Sequence, residues 1–126
     1  MTKKLFPDGT EVAPFYVRAI RKGPMVFVSG TTSLDRKGRV QGRTAAEQTT
    51  ISLRKVEKAL KSAGARLADL TRLTIFVTDI RDMGAVAKAL GKALRGAVVA
   101  STLVAISALA VPGLLVEIES TAVTAK

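Results

Sequence analysis

Three short apolar runs carry the residues with most to offer chemically. They are Arg72-Leu73-Thr74-Ile75-Phe76-Val77-Thr78-Asp79, Ser101-Thr102-Leu103-Val104-Ala105-Ile106 and Leu115-Val116-Glu117-Ile118-Glu119. Each is rich in β-branched and aromatic residues and too short for a buried helix, so each reads as a strand. Side chains alternate faces along a strand. Glu117 and Glu119 therefore share one face with Leu115 and Thr121, while Val116, Ile118 and Ala122 share the other. A carboxylate on the half-polar face of a core strand either activates water or belongs to a solvated surface, and the alternation fits both.

The chain has no histidine and no cysteine. The most frequent general base and metal ligand is thus missing, along with serine–histidine nucleophiles, thiolates, disulfides and most zinc sites. Any catalysis must rest on carboxylates, hydroxyls, Tyr16, a lysine or arginine, or backbone amides.

The elements that must position these groups fit one domain over residues 1–126. An apolar fraction of 48% and a mean hydropathy of +0.27 indicate a folded chain. The first residues are basic with no apolar stretch behind them, unlike a signal peptide, and no run reaches membrane-spanning length. A soluble cytoplasmic protein without a membrane partner is expected. The formal charge of +10 raises a nucleic-acid partner, but the positive residues are scattered and few aromatics interleave with them. Nucleic acid stays open and is not favoured.

Residues 1–14 read as a loosely held arm, because Pro7, Asp8-Gly9 and Pro14 interrupt regular structure. Tyr16–Arg21 and Met25–Ser29 form a hairpin across Lys22-Gly23-Pro24. Gly30 ends its second strand, either relieving crowding or a bulge, or keeping a side chain out of something's way. Thr31–Leu34 is expected as a short third strand, closed by Asp35-Arg36-Lys37-Gly38. Thr44-Ala45-Ala46-Glu47 is a capping box opening a helix whose apolar face is Leu53, Val56, Leu60 and Ala63, and Gly64 stops it. Asp79 or Asp82 caps a second helix through Val86, Leu90 and Leu94. The order gives an α+β domain, a mixed six-stranded sheet with two helices on one face. No element remains to cover the other face, which predicts oligomerisation.

The chain resembles the reactive-intermediate deaminase (Rid/YjgF, "endoribonuclease L-PSP"-like) family. The resemblance rests on Val26-Phe27-Val28-Ser29-Gly30, Glu47-Gln48-Thr49 with Leu53, Ala63-Gly64-Ala65, Leu67-Ala68-Asp69-Leu70, Thr74–Asp79, Ser101–Val104 and Leu115–Glu119, and runs from Tyr16 to Val123. It implies a chorismate-mutase-like fold assembled as a homotrimer, with the three sheets forming a central barrel and ligand clefts between subunits. It also implies hydrolysis of small enamines and imines without metal or cofactor. By position it assigns Tyr16 and Gly30 to the cleft lining and Glu117 to positioning water. The family's carboxylate-gripping arginine falls on Ser101.

Ser101 and Thr102 are then the substrate-binding hydroxyls, suited to a weakly held carboxylate or to a neutral amide or carbonyl, and Arg18 and Arg72 are candidate replacement cations. Loss of one hydrogen bond to a charged group removes roughly 1.5–3 kcal/mol, about one to two powers of ten in rate. Three readings follow: a small-molecule imine or carbonyl hydrolase in inter-subunit clefts, a non-catalytic binding or regulatory module, and an RNA-binding or endoribonuclease-type translation inhibitor. The last would lack the usual histidine acid–base pair.

Overall fold

The computed structural model describes residues 2–125. Its longest element is helix α1, Ala45–Ser62, and it starts as the capping box requires. The Thr44 hydroxyl accepts from the Glu47 amide at 3.1 Å, and Glu47 accepts from the Thr44 amide at 3.1 Å. Leu53, Val56 and Leu60 are buried on one side of the helix. Gly64, at φ +78°, takes the left-handed conformation that ends it.

Six strands make one sheet: β1 (Lys4–Phe6), β2 (Ala19–Lys22), β3 (Met25–Thr31), β4 (Leu70–Val77), β5 (Ala100–Ala105) and β6 (Val116–Val123). They lie in the order β1-β2-β3-β6-β4-β5. All neighbours are antiparallel except β4 and β5. Helix α2 (Met83–Ala93) makes the crossover that a parallel pair needs. It packs on α1, which also covers β3 and β6. Val26, Leu73, Ile75, Val77, Val116 and Ile118 are buried beneath the helices. On the open face Phe27 is 46% exposed and Val104 39%. This is the mixed sheet with two helices on one face that the sequence predicts.

Two expectations need correction. Of the arm expected over residues 1–14, the first residue lies outside the described residues and the rest is not loose: Lys4–Phe6 pairs with β2 and covers an edge that would otherwise offer unpaired backbone groups. The segment after it is held by its own acids. Asp8 accepts from the Thr10 amide and hydroxyl, and Glu11 accepts from the Arg18 amide at 2.8 Å. The prolines and glycine shape a turn there. Secondly, Thr31–Leu34 is not a third strand, because β3 itself runs to Thr31 and Leu34 makes a single bridge to Val40. The Asp35 carboxylate accepts from the Lys37 and Arg39 amides, each at 2.9 Å, and closes that turn before a ladder can form. The sixth strand comes from the N-terminus.

The start of the second helix divides the two candidate caps. Asp79 accepts from the Arg81 amide at 2.9 Å and caps a 3₁₀ turn, Ile80–Asp82, that leads into α2. Asp82 precedes α2 but makes no side-chain capping bond. No described helix is long and apolar enough to cross a membrane.

Candidate functional site

Glu117 projects from β6 onto the open face, beside Phe76 of β4. On its other flank β3 is irregular: Val28 pairs with Ser120 and Thr31 with Ile118, so one extra residue is accommodated on β3. Gly30 lies in that bulge. A β-carbon there would sit 2.8 Å from the carboxyl carbon and from one carboxylate oxygen of Glu117. Both sequence readings of Gly30 are therefore realised: it sits in a bulge, and it leaves room for a carboxylate.

Among the described residues nothing donates a hydrogen bond to Glu117. Removal from water pushes its carboxyl above the ordinary value, the Arg18 charge pulls it back, and Glu119 pushes it further up. A carboxylate made more basic and left without donors is disposed to take a proton from a bound molecule.

Arg18 is what arranges this corner. It is 2% exposed. Its Nη1 donates to the Gly30 carbonyl at 2.7 Å and to Thr31 Oγ1 at 3.2 Å, its Nη2 to Thr10 Oγ1 at 3.0 Å, and its Nε to Asp8 at 3.2 Å. The guanidinium thereby ties the N-terminal turn to the bulge that frames Glu117. It is not a free cation awaiting a substrate carboxylate, since each of its nitrogens already has an acceptor. Tyr16 stands over it, with the ring centre 5.9 Å from the guanidinium carbon, and its hydroxyl accepts from the Val12 amide at 2.9 Å. Tyr16, Gly30 and Glu117 thus belong to one constellation connected through Arg18.

Ser101 and Thr102 lie elsewhere. Both are exposed on the edge strand β5, Ser101 beside Leu73 and Thr102 beside Thr74. Partners in register share a face, so Thr102 looks onto the open face with Glu117, while Ser101 looks the other way. Thr102 is two strands across and two residues along from Glu117, roughly 12 Å at ordinary strand spacings. Arg72 is on the open face as well, where its Nη2 donates to Thr102 Oγ1 at 2.9 Å. It borders a shallow hollow of about 250 Å³ with Phe27, Thr74, Glu119 and Thr121. Along β4 it is four residues from Phe76, about 13 Å. One subunit does not bring these groups to Glu117.

Two positioning residues escape a reading by sequence pattern. Arg18 looks like one more surface charge in a weakly alternating stretch. Gln48 looks like an ordinary helix residue, yet it is 1% exposed. Its amide donates to the Gly42 and Gly113 carbonyls and accepts from the Leu115 amide at 2.8 Å, fixing the entry to β6 two residues before Glu117. The available signal was a glutamine on the apolar side of an amphipathic helix. Among the described residues no cluster of three or more acidic, histidine or cysteine side chains could hold a metal ion.

Fold and site together define a class. The chain belongs to the Endoribonuclease L-PSP family, whose model matches residues 9–124. It is similar to a 2-iminobutanoate/2-iminopropanoate deaminase from Salmonella typhimurium, 32% identical over 81 residues. That match covers 61% of this chain and 63% of the deaminase, so less than two thirds of the relative's length is spanned. A RutC family protein from Pasteurella multocida is 35% identical over 89 residues, covering 68% of this chain and 67% of that one. Among solved structures, a YjgF/YER057c/UK114 family member from Mycobacterium tuberculosis is 39% identical with a TM-score of 0.88, covering 98% of this chain and all of that one. The YjgF gene product of E. coli is 26% identical with a TM-score of 0.85, covering 95% of this chain and 98% of that one. The chorismate-mutase-like fold expected from the sequence is the fold of this chain.

Proposed function

We propose that the protein is a homotrimer binding a small imine, enamine or related carbonyl compound in clefts between subunits, and hydrolysing it with Glu117 as the water-positioning group. The observation that carries this is the Glu117 carboxylate, half-buried, without donors, and given space by Gly30. The deaminase name of a relative supports the substrate class. The open face, with Phe27 and Val104 exposed, supports burial against other copies. The separation of Ser101, Thr102 and Arg72 from Glu117 within one chain supports a neighbouring subunit as the source of the opposite cleft wall. Tyr16, Gly30 and Thr102 are then its lining, with Ser101, exposed at the start of the same edge strand, bordering it from the strand's other face.

In the reaction Glu117 accepts a proton from water as the oxygen adds to the C=N carbon, and the nitrogen is protonated. The carbinolamine collapses, its C–N bond breaks, and ammonia leaves as C=O forms. A second reading, binding without turnover, is favoured by Ser101, which offers no charge to a substrate carboxylate.

The test is ammonia release from freshly generated 2-aminoacrylate by the wild type, Glu117→Gln and Ser101→Arg. Wild-type activity lost in Glu117→Gln supports hydrolysis. Activity confined to Ser101→Arg indicates a competent scaffold whose natural ligand carries no carboxylate. Equal activity with and without the glutamate overturns its assignment. Sedimentation of the wild type tests the trimer.

A further inference from the structure

On the helix side of the molecule the N-terminal turn, the 33–41 loop and one flank of α1 enclose a cavity of about 480 Å³. Of the Glu117 constellation only Arg18 reaches it; Tyr16, Gly30 and Glu117 do not line it. Lys55 does, and its setting is unusual for a lysine. Its Nζ donates to the Thr32 carbonyl at 2.9 Å and the Leu34 carbonyl at 2.8 Å. A neutral amine has two N–H hydrogens, and these two acceptors use both. The lone pair then occupies the remaining tetrahedral position. An ammonium would carry a third N–H, for which no described residue supplies an acceptor.

The rest of the cavity is matched to a small polar molecule with an apolar body. Ile51 and Leu34 supply apolar wall. Ser33 also lines it, wholly buried, with a hydroxyl that has no hydrogen-bond partner among the described residues. Lys58 stands at the same cavity and forms no ion pair among the described residues, and Arg36 lies beside it. The unpartnered hydroxyl lies just behind the wall, and Lys58 and Arg36, on a rim that Asp8 and Asp35 also line, offer charge to a carboxylate.

We propose that Lys55 is a reactive amine whose cavity takes a small 2-oxo acid, held as a reversible imine. The amine lone pair attacks the keto carbon, a C–N bond forms, and the carbonyl oxygen takes up a proton. The resulting carbinolamine takes a proton from solvent on its hydroxyl and loses water to give the protonated imine, and addition of water with release of that proton reverses both steps. No oxidant or metal is needed. Burial first, and the Arg18 charge next, push the Lys55 amine down to about 8, against the pull of Asp8, Glu11 and Asp35. At near-neutral pH a usable fraction of it is therefore neutral.

The proposal does not depend on the Glu117 cleft and fails separately from it. Its test is reductive trapping of the wild type with pyruvate and cyanoborohydride at pH 7.5, followed by peptide mapping. Lys55 is expected to be labelled about tenfold or more faster than an exposed lysine such as Lys88 or Lys92, because only the neutral amine attacks. That advantage should shrink above pH 10, where surface lysines are neutral too. Lys55→Arg should abolish the fast label, and Glu117→Gln should leave it unchanged. Labelling that is even across lysines, or a fast label that survives Lys55→Arg, overturns the proposal. The mapping uses the wild type alone, so it decides the matter even where the arginine variant folds poorly.

Discussion

Val116, Ile118 and Ser120 look from β6 into the helices, while Glu117, Glu119 and Thr121, each one residue away, look out from the open face. The two faces share strands, registers and backbone bonds. They differ in what covers them, and that decides what each can do. Under the helices the side chains are close-packed, and volume is what matters. On the open face a charge can be held part-way out of water, because Gly30 opens space on one side and Arg18 fixes the backbone that frames it. The closed face is specified by shape and the open one by electrostatics.

The largest effect expected from breaking this contrast is on the closed side. Ile118→Ala should cost about 2–5 kcal/mol, the usual range for emptying a fully buried aliphatic site, measured by urea denaturation. A cost near zero would mean that the helices do not pack on β6 as described. Next comes Arg18→Met, which leaves the second carboxylate oxygen of Asp8 and the Gly30 carbonyl without their donor. A loss of about 3 kcal/mol is expected, as when one partner of a buried pair is removed. Ammonia release or ligand affinity should fall with it, because the bulge is no longer held.

Gly30→Ala separates stability from function. The added methyl meets the far end of a flexible side chain, so Glu117 can swing away and the stability change should stay within about 1 kcal/mol. Displacement of the carboxylate should still lower ammonia release, or the affinity of whatever ligand is found, by about tenfold or more. A fully active Gly30→Ala protein would dissociate the glycine from the site.

The smallest effect is the most diagnostic. Glu117 has a folded-state pKa raised by burial. Below the unfolded-state value both states are protonated and the group is neutral to stability. As pH rises past that value the unfolded chain ionises first, and the folded state is penalised until its own raised pKa is passed. Glu117→Gln should therefore be slightly more stable than wild type at pH 7. The advantage should disappear as pH falls below the ordinary carboxylate range, which melting curves at several pH values will reveal. A site residue that destabilises its own fold is consistent with selection for chemistry over stability.

Much of this was legible in the chain itself. The capping box at Thr44, the alternation along β6 and the β-branched runs rest on periodicities of 3.6 and 2, which local sterics impose wherever the segment folds. They gave the two helices, five of the strands and the face on which Glu117 lies. The sixth strand was hidden because Lys4–Phe6 is only three residues long and earns its place by pairing with β2, a partner far along the chain. Arg18 was invisible as a positioning residue for the same reason, since its acceptors come from residues 8 to 31.

What the sequence determined by itself is therefore local: helix starts and stops, strand faces, and the absence of histidine and cysteine side chains. What only the tertiary structure decided is which of those groups meet. It joined Tyr16, Gly30 and Glu117 through Arg18, left Ser101 and Thr102 two strands away, and placed Lys55 between two backbone carbonyls. Side-chain type is written residue by residue, but the surroundings that change a group's hydration and its partners exist only once distant segments pack.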